Sequence, residues 1–367
     1  MKVIADLHIH SCYSRATSKR LHIQEIARFA KIKGLNIIGT GDFTHPKWLK
    51  EIQETLVEEP GTGLDKAGKT PESQVHFMEV SNENMVFPAH VWTPWFSLFG
   101  AFSGFNSVQD CYQDMTKHIH ALETGLSSDP PMNWRLSKLD KFTLVSNSDS
   151  HSFWPWRIGR EANVFELKKL SYHEVMDTIR LKDKERFKFT METDPAYGKY
   201  HWTGHRNCNV ALSPQEAIKF GNICPVCRRK LTKGVEQRVE ELADRPAGFK
   251  PENAIGFMRL LPLSEVIASV LGASSPFTQK VWGIYNELIE KFGNEYTVVM
   301  DASKQALTKV VDEKVAEAII RVGEGRAKVI PGYDGVYGKL IIFEENSDDE
   351  PAPERVQQLN LTDFMRQ

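Results

Sequence analysis

The segment KVIADLHIHS at residues 2–11 decides the architecture. Its first half is apolar and β-prone, and it closes on two histidines, His8 and His10. In an extended chain residues i and i+2 face the same side, so both imidazoles can reach one cation. Ile23, Ile26, Ala27 and Ala30 then recur at helical spacing, and Gly34 follows as a C-terminal cap. Leu35 to Ile38 is a second short apolar run. Strand, helix and strand in this order predict a parallel pair joined by a crossover.

The rhythm returns at Val75–Met78, Met85–Pro88, Ile119–Leu122 and Phe142–Val145. A polar candidate ligand sits just past each run. Asp42 and His45 follow the second strand in GTGDFTHP, Glu79 ends the next run, and His90 follows MVFPA. Glu123 follows IHAL, and Asp149 and His151, again two apart, follow TLVSNS. In a parallel barrel these strand ends converge on the face where active sites are built. One histidine beside a strand is ordinarily structural. The same register at six successive strand ends is not. His22, His76, His118 and His120 fall outside it and read as structural.

So many hard and borderline donors suit two or three divalent ions of zinc, magnesium or manganese. Closely spaced metals acidify a bound water and clamp the attacking and leaving oxygens of a phosphoester. Asp149 and His151 are therefore the leading catalytic candidates. Arg160 and Arg157, in WRIGRE just beyond them, are placed either to hold phosphate oxygens or to make surface salt bridges. No Ser-His-Asp spacing or phosphate-cradling glycine loop competes.

Length and composition bound the rest. At 367 residues with 41% hydrophobic content, two or three domains are expected. A net charge of −2 carries no nucleic-acid signal, so a polyanion would need a local basic patch. No apolar run reaches transmembrane length and the N-terminus lacks a signal-peptide pattern, which predicts no membrane contact and a cytoplasmic protein. Five cysteines, three of them between residues 208 and 227, argue for a reducing compartment and a metal site rather than disulfides.

Residues 1–195 read as the phosphoesterase barrel and 196–250 as a small module rich in Gly, Cys, His and basic side chains. There Cys224 and Cys227 form a CxxC knuckle and Cys208 a third ligand. His205, at the knuckle spacing H-x2-C, is preferred over His201 as the fourth ligand of one structural zinc. Arg206, Arg228, Arg229 and Lys230 give this module a basic rim able to meet DNA phosphates. Residues 251–345 read as a helical domain with a terminal hairpin around PGYDGVYG. Residues 346–367 read as a disordered acidic tail.

Residues 87–105 carry Phe87, Trp92, Trp95, Phe96, Phe99, Phe102 and Phe105 immediately around His90. Core packing accounts for most of them, yet such a run also suits a pocket for an unstacked base. Ser127, Ser128, Asn133 and Trp134, in the neighbouring loop, are the candidate partners for such a base.

DLHIHS, GTGDFTHP, PAH, ETG and SNSDSHS together resemble the motifs of the PHP (polymerase and histidinol phosphatase) superfamily. FPAHVWTPWFSLFGAFSGF, ETGLSSDPPMNWR, GREANVFE, the cysteine module, VEELADRP and PGYDGVYG look like the endonuclease Q family within it, in the same order. The resemblance covers most of residues 1–343. It implies a distorted (β/α)7 barrel and a DNA repair endonuclease that cuts 5′ of deaminated bases (uracil, hypoxanthine, xanthine) and abasic sites. The stretch between His45 and His90 is shorter than the family pattern, so Glu79 rests on the short match MEVS, with Glu83 as the alternative. The tail residues Gln358, Leu361, Phe364 and Met365 resemble the PCNA-interacting peptide of archaeal type, with Met365 in place of the last aromatic. Damaged DNA and a sliding clamp (PCNA) are the partners this implies. A small-molecule phosphatase and a catalytically inactive DNA- or clamp-binding accessory are the competing readings. The extra modules weigh against the first, and the nearly full ligand set against the second.

Overall fold

The computed structural model describes residues 1–68, 75–79, 84–102 and 104–343. Strand β1 (Lys2–Asp6) is buried from Val3 onward and runs parallel to β2 (Ile37–Gly39). Between them the helix Ile23–Lys33 buries Ile23, Ile26, Ala27 and Ala30. Gly34 ends it with φ +101°, a conformation that costs glycine little, and its N–H donates to the Ala30 and Lys31 carbonyls. The crossover unit is the one the apolar spacing predicts.

The helix Pro46–Thr55 is followed by an antiparallel hairpin, β3 (Leu56–Glu59) and β4 (Leu64–Ala67), and then by β5 (His76–Met78), parallel to β2. The hairpin is not legible in the sequence, because LVEE and LDKA are charged and do not alternate cleanly. Strands β6 (Ala121–Glu123) and β7 (Thr143–Val145) form a separate parallel pair. A parallel bridge between Ile9 and Ser150 sets the continuation of β7 beside that of β1. β8 (Ala162–Glu166) and β9 (Phe187–Glu192) return to the main sheet. β10 (Thr203–His205) and β11 (Val210–Leu212) pair in the cysteine module. β12 (Gly256–Arg259) joins β9 in parallel, inside the stretch expected to be helical. β13 (Lys328–Ile330) and β14 (Lys339–Ile341) make the expected hairpin.

The fold is mixed α/β, and the main sheet has the order β12-β9-β8-β1-β2-β5-β4-β3. It is not wholly parallel as the sequence rhythm suggested. β8 runs against β1 and β9, and β4 against β5. Apolar runs report burial and not direction, and the segment before β8 contains no crossover helix, so the chain can reverse there. Met85–Pro88 is not a strand either. It lies beside β6, and the Glu123 N–H donates to Pro88 O at 3.1 Å.

Helices Leu263–Leu271, Gln279–Phe292 and Glu313–Gly323 bury Val266, Tyr285 and Ile319 in the same apolar cluster as Ile4, Ile38 and Trp48. One buried ion pair crosses this junction: Lys33 Nζ lies 2.6 Å from Glu295 Oε1. Tyr296 adds a hydrogen bond from its hydroxyl to Gly159 O at 2.5 Å. The C-terminal helices therefore hold the loop that follows Asp149. No helix among the described residues is long and apolar enough to cross a membrane.

Candidate metal centre

The strand ends deliver their side chains through tight turns. Asp42, His90 and Asp149 adopt φ of +38°, +32° and +47°. Residues with a Cβ avoid this region, at a cost of about 1–3 kcal/mol each, and such strain collects at functional sites. Gly41, beside Asp42, has φ +60°, and a Cβ there would lie 2.0 Å from Ile9 O. Only glycine lets the two loops approach this closely.

Asp149 is the hub. Its Oδ1 lies 3.0 Å from His10 Nε2, 3.6 Å from His8 Nε2 and 3.8 Å from His151 Nδ1. His10 Nδ1 faces Asp42 Oδ1 at 3.0 Å, and His8 Nδ1 lies 3.0 Å from both Glu123 oxygens. Glu123 also accepts the His90 N–H at 2.8 Å and Asn147 Nδ2 at 2.8 Å. The His151 ring packs on His10 with centroids 4.6 Å apart, and His90 stacks on His8 at 6.0 Å. Asp42 is oriented by the Ser11 N–H at 2.7 Å and the Ser11 hydroxyl at 2.8 Å.

The electrostatics follow from this packing. Burial opposes a charged His8, but the Glu123 carboxylate outweighs it and pushes the ring up to about 9. Asp149 on His10, only partly countered by burial, also raises His10. Burial opposes the Asp149 charge, yet His10, His8 and His90 hold its carboxyl below the usual range. Imidazole nitrogens and carboxylate oxygens converging in this way coexist only with a proton or a cation between them. His8, His10 and Asp149 offer three donor atoms within 4.8 Å of one another. The donor set fits a borderline divalent metal.

Seven of the nine candidate ligands are thus brought together: His8, His10, Asp42, His90, Glu123, Asp149 and His151. His45 stands next to them, its ring stacked on Tyr13 at 4.6 Å and its buried Nδ1 without a partner. Glu79 meets Asp65 of β4 instead, and burial together with that carboxyl raises it. Glu83 and the whole tail, with Gln358, Leu361, Phe364 and Met365, lie outside the described residues. Arg157 is exposed and Arg160 buried, and neither makes a salt bridge among the described residues. Ser127 is half-buried. Ser128, Asn133 and Trp134 are buried, and they shape the floor of their loop rather than offering free polar groups. Ser128 Oγ donates to Thr124 O, Asn133 holds Trp92 Nε1 at 2.8 Å, and Trp134 packs on Phe257.

The side chains that support these candidate ligands carry little signal in the sequence. Asp6 accepts the Ser148 hydroxyl at 2.5 Å and the Gly159 N–H at 2.9 Å, tying β1 to the loop after β7. Asn147 accepts the Leu7 N–H at 2.8 Å while donating to Glu123. The Asp of DLHIHS and the Asn of SNSDSHS carry the only signal for them. Glu161 and Glu192 meet beneath the site, where Ser146 Oγ lies 3.2 Å from one and 3.1 Å from the other. Nothing local marks that pair.

Burial pushes the Glu161 carboxyl up to about 8 and, with the Glu161 charge added, Glu192 well above the carboxylate range. The folded protein therefore keeps a proton that an unfolded Glu161 releases near its ordinary value of 4.5. Stability falls as pH rises from about 4.5 to about 8. Glu161→Gln is expected to melt like the parent protein near about pH 5 and above it near about pH 8.5, by scanning calorimetry. The same difference at both values would show that Glu161 does not titrate across this window.

In the cysteine module, β10 and β11 carry His205 and the turn Arg206–Cys208 toward Cys224 and Cys227. All four donor atoms lie within 4.8 Å of one another, and His205 Nδ1 is 3.3 Å from Cys227 Sγ. Burial raises the Cys224 thiol, but the N–H groups of Cys227 and Val226 overcome it and bring it down to about 6. This tetrad suits a tetrahedral zinc. His201 is engaged elsewhere, 3.3 Å from Glu236. Arg228, Arg229 and Lys230 form an exposed basic rim.

Residues 262–326 match the family model of the MJ0043 C-terminal domain. The uncharacterized protein MJ0043 of Methanocaldococcus jannaschii is 34% identical over 257 residues, 68% of this chain and 31% of its own length. The uncharacterized protein YqxK of Bacillus subtilis is 29% identical over 259 residues, 70% of this chain and 60% of its own. The chain thus spans less than two thirds of either curated relative. Among solved structures, the lesion-specific endonuclease PfuEndoQ of Pyrococcus furiosus superposes with TM-score 0.82 at 31% identity, over 94% of this chain and 96% of that one. Endonuclease Q in complex with a 27-mer duplex bearing an abasic lesion at the active site gives 0.80 at 30% identity, over 94% and 98%.

Proposed function

Because this chain belongs to the endonuclease Q family, we propose that it is a DNA endonuclease acting at lesions, abasic sites and deaminated bases among them. The carrying observation is the complex of its structural relative with duplex DNA, an abasic lesion at the active site, beside the converged His/Asp/Glu cluster found here. His8, His10, Asp42, His90, Glu123, Asp149 and His151 would hold the metals, with His45 adjacent. When bound, divalent ions supply Lewis acidity, an acidified water and a charge clamp on the phosphodiester. The chain's own residues do the rest. Asp149 and Glu123 orient the imidazoles, Arg157 is exposed to meet a backbone phosphate, and the cysteine module, with a structural zinc, presents a basic rim to the duplex. Scission 5′ of the lesion, a (β/α)7 barrel and clamp tethering through the tail are the finer parts of this reading. They rest on the sequence resemblance.

The reading of selectivity for deaminated bases draws on a cavity of about 230 Å³ lined by Leu126, Arg157, Arg160, Thr193, Tyr197 and Glu265 among others. Arg160 Nε, Thr193 Oγ1 and Glu265 Oε2 are buried in these lining residues without partners and would have to turn toward the cavity to meet a base. Uracil and hypoxanthine present a ring N–H next to a carbonyl, where cytosine and adenine present a bare ring nitrogen next to an amino group. A carboxylate acceptor beside a guanidinium donor complements the first edge and repels the second. Glu265→Gln is therefore expected to slow cleavage at uracil about 10- to 100-fold, the loss of one buried charged hydrogen bond, while cleavage at an abasic site is unchanged.

The defining experiment offers duplexes containing an abasic site, uracil or no lesion, and a phosphomonoester, with Mg2+ or Mn2+ and with chelator. Metal-dependent cutting of the lesion duplexes alone is expected. Turnover of the phosphomonoester alone would make the protein a small-molecule phosphatase, and binding without turnover an inactive accessory.

A further inference from the structure

Apart from the metal centre and the cysteine module, one more set of soft and borderline donors converges among the described residues. Cys12 lies in the loop after β1, His22 precedes the helix Ile23–Lys33, and Glu51 sits on the helix Pro46–Thr55. Cys12 Sγ is 3.7 Å from His22 Nδ1, and Glu51 Oε2 is 2.8 Å from the same nitrogen. One donor atom from each lies within 4.8 Å of the others. We propose that Cys12, His22 and Glu51 form a further metal site, binding a zinc-like cation through one sulfur, one nitrogen and one oxygen, with water in the fourth position.

The geometry suits that cation. Zinc bond lengths of about 2.3 Å to sulfur and about 2.0–2.2 Å to nitrogen and oxygen place tetrahedral donors roughly 3.3–3.7 Å apart. The sulfur–nitrogen distance already has this value. The shorter His22–Glu51 contact is a hydrogen bond whose proton a cation would replace. Glu51 is oriented beforehand, because its other oxygen accepts the Ile23 N–H at 3.1 Å. Cys12 is only 5% exposed, whereas the His22 side chain is 45% exposed. His22 and Glu51 open on a surface depression lined also by Lys19, Arg20, Gln24 and Glu25, which leaves a position for water. A thiolate in the set selects zinc-like ions over magnesium or calcium. Occupancy would tie the loop after the catalytic histidines to two helices. It would also steady Tyr13, whose ring stacks on His45 and meets His22 edge-on at 6.4 Å.

The site is distinct from the phosphoesterase reading and is tested without activity. The full chain loaded with 113Cd should show two thiolate-ligated resonances by NMR, one from the three-cysteine module and one from the single-sulfur site. Cys12→Ala should remove the second and leave the first, and Glu51→Gln should shift or remove it. Plasma mass spectrometry of the zinc form should show one equivalent lost in Cys12→Ala. A single sulfur-ligated resonance in the unmodified protein overturns the proposal and needs no variant to fold. So does an unchanged metal content in both variants.

Discussion

Asp149→Asn is expected to reduce strand cleavage by at least the roughly 100- to 1000-fold that loss of one electrostatic group at a reacting centre costs. Asp149 Oδ1 lies within 3.8 Å of three imidazoles, His8, His10 and His151, and its position sets where a cation can sit. Asparagine is the right probe. It tolerates the φ of +47° found there, which alanine does not, so the loop keeps its path. It also preserves size while removing the charge. Duplex affinity should stay near that of the parent protein, because Arg157 and the basic rim of the cysteine module, the proposed DNA contacts, are untouched. His151→Ala, which removes a ring packed on His10, should act in the same direction. Single-turnover cleavage of a lesion duplex, with binding followed by fluorescence anisotropy, separates the two effects. Cutting near the parent rate in both variants would take these residues out of the chemistry.

The second large effect is on stability. Lys33→Met should destabilise the protein by about 3–5 kcal/mol, because it strands a buried carboxylate. Lys33 and Glu295 are 2% and 1% exposed, and their 2.6 Å contact lies within the continuous core shared by the sheet and the C-terminal helices. Lys33 also donates to Pro155 O at 2.8 Å, and Glu295 accepts the Leu263 N–H at 2.9 Å and the Tyr285 hydroxyl at 2.8 Å. Every polar atom of the pair is engaged, so breaking it from one side leaves a charge with no water to receive it. Adding Glu295→Gln to Lys33→Met should recover part of the loss, since a neutral amide can keep the Leu263 contact. Denaturant unfolding of the two single variants and the double variant gives the coupling. A Lys33→Met loss below about 1 kcal/mol would place this pair with exposed salt bridges and not with buried ones.

The candidate ligands at the strand ends are legible in the sequence because local geometry carries them. His8 with His10 and Asp149 with His151 share a face by the two-residue period of an extended chain. Ile23, Ile26, Ala27 and Ala30 announce their helix by its own period, and Gly34 its end, since both depend on nearest neighbours along the chain. The cysteine tetrad is legible for the same reason, from the spacing of its two knuckles. Direction and partnership are not. The antiparallel run of β8, the meeting of Glu79 with Asp65 and the sinking of Ser128 and Asn133 into the core depend on which distant segments pack together. So do the Glu161–Glu192 pair, the Arg160–Thr193–Glu265 cavity and the convergence of Cys12 with His22 and Glu51. Apolar periodicity records that a side chain is buried. What it is buried against is set by the tertiary packing that closes loops of tens to hundreds of residues.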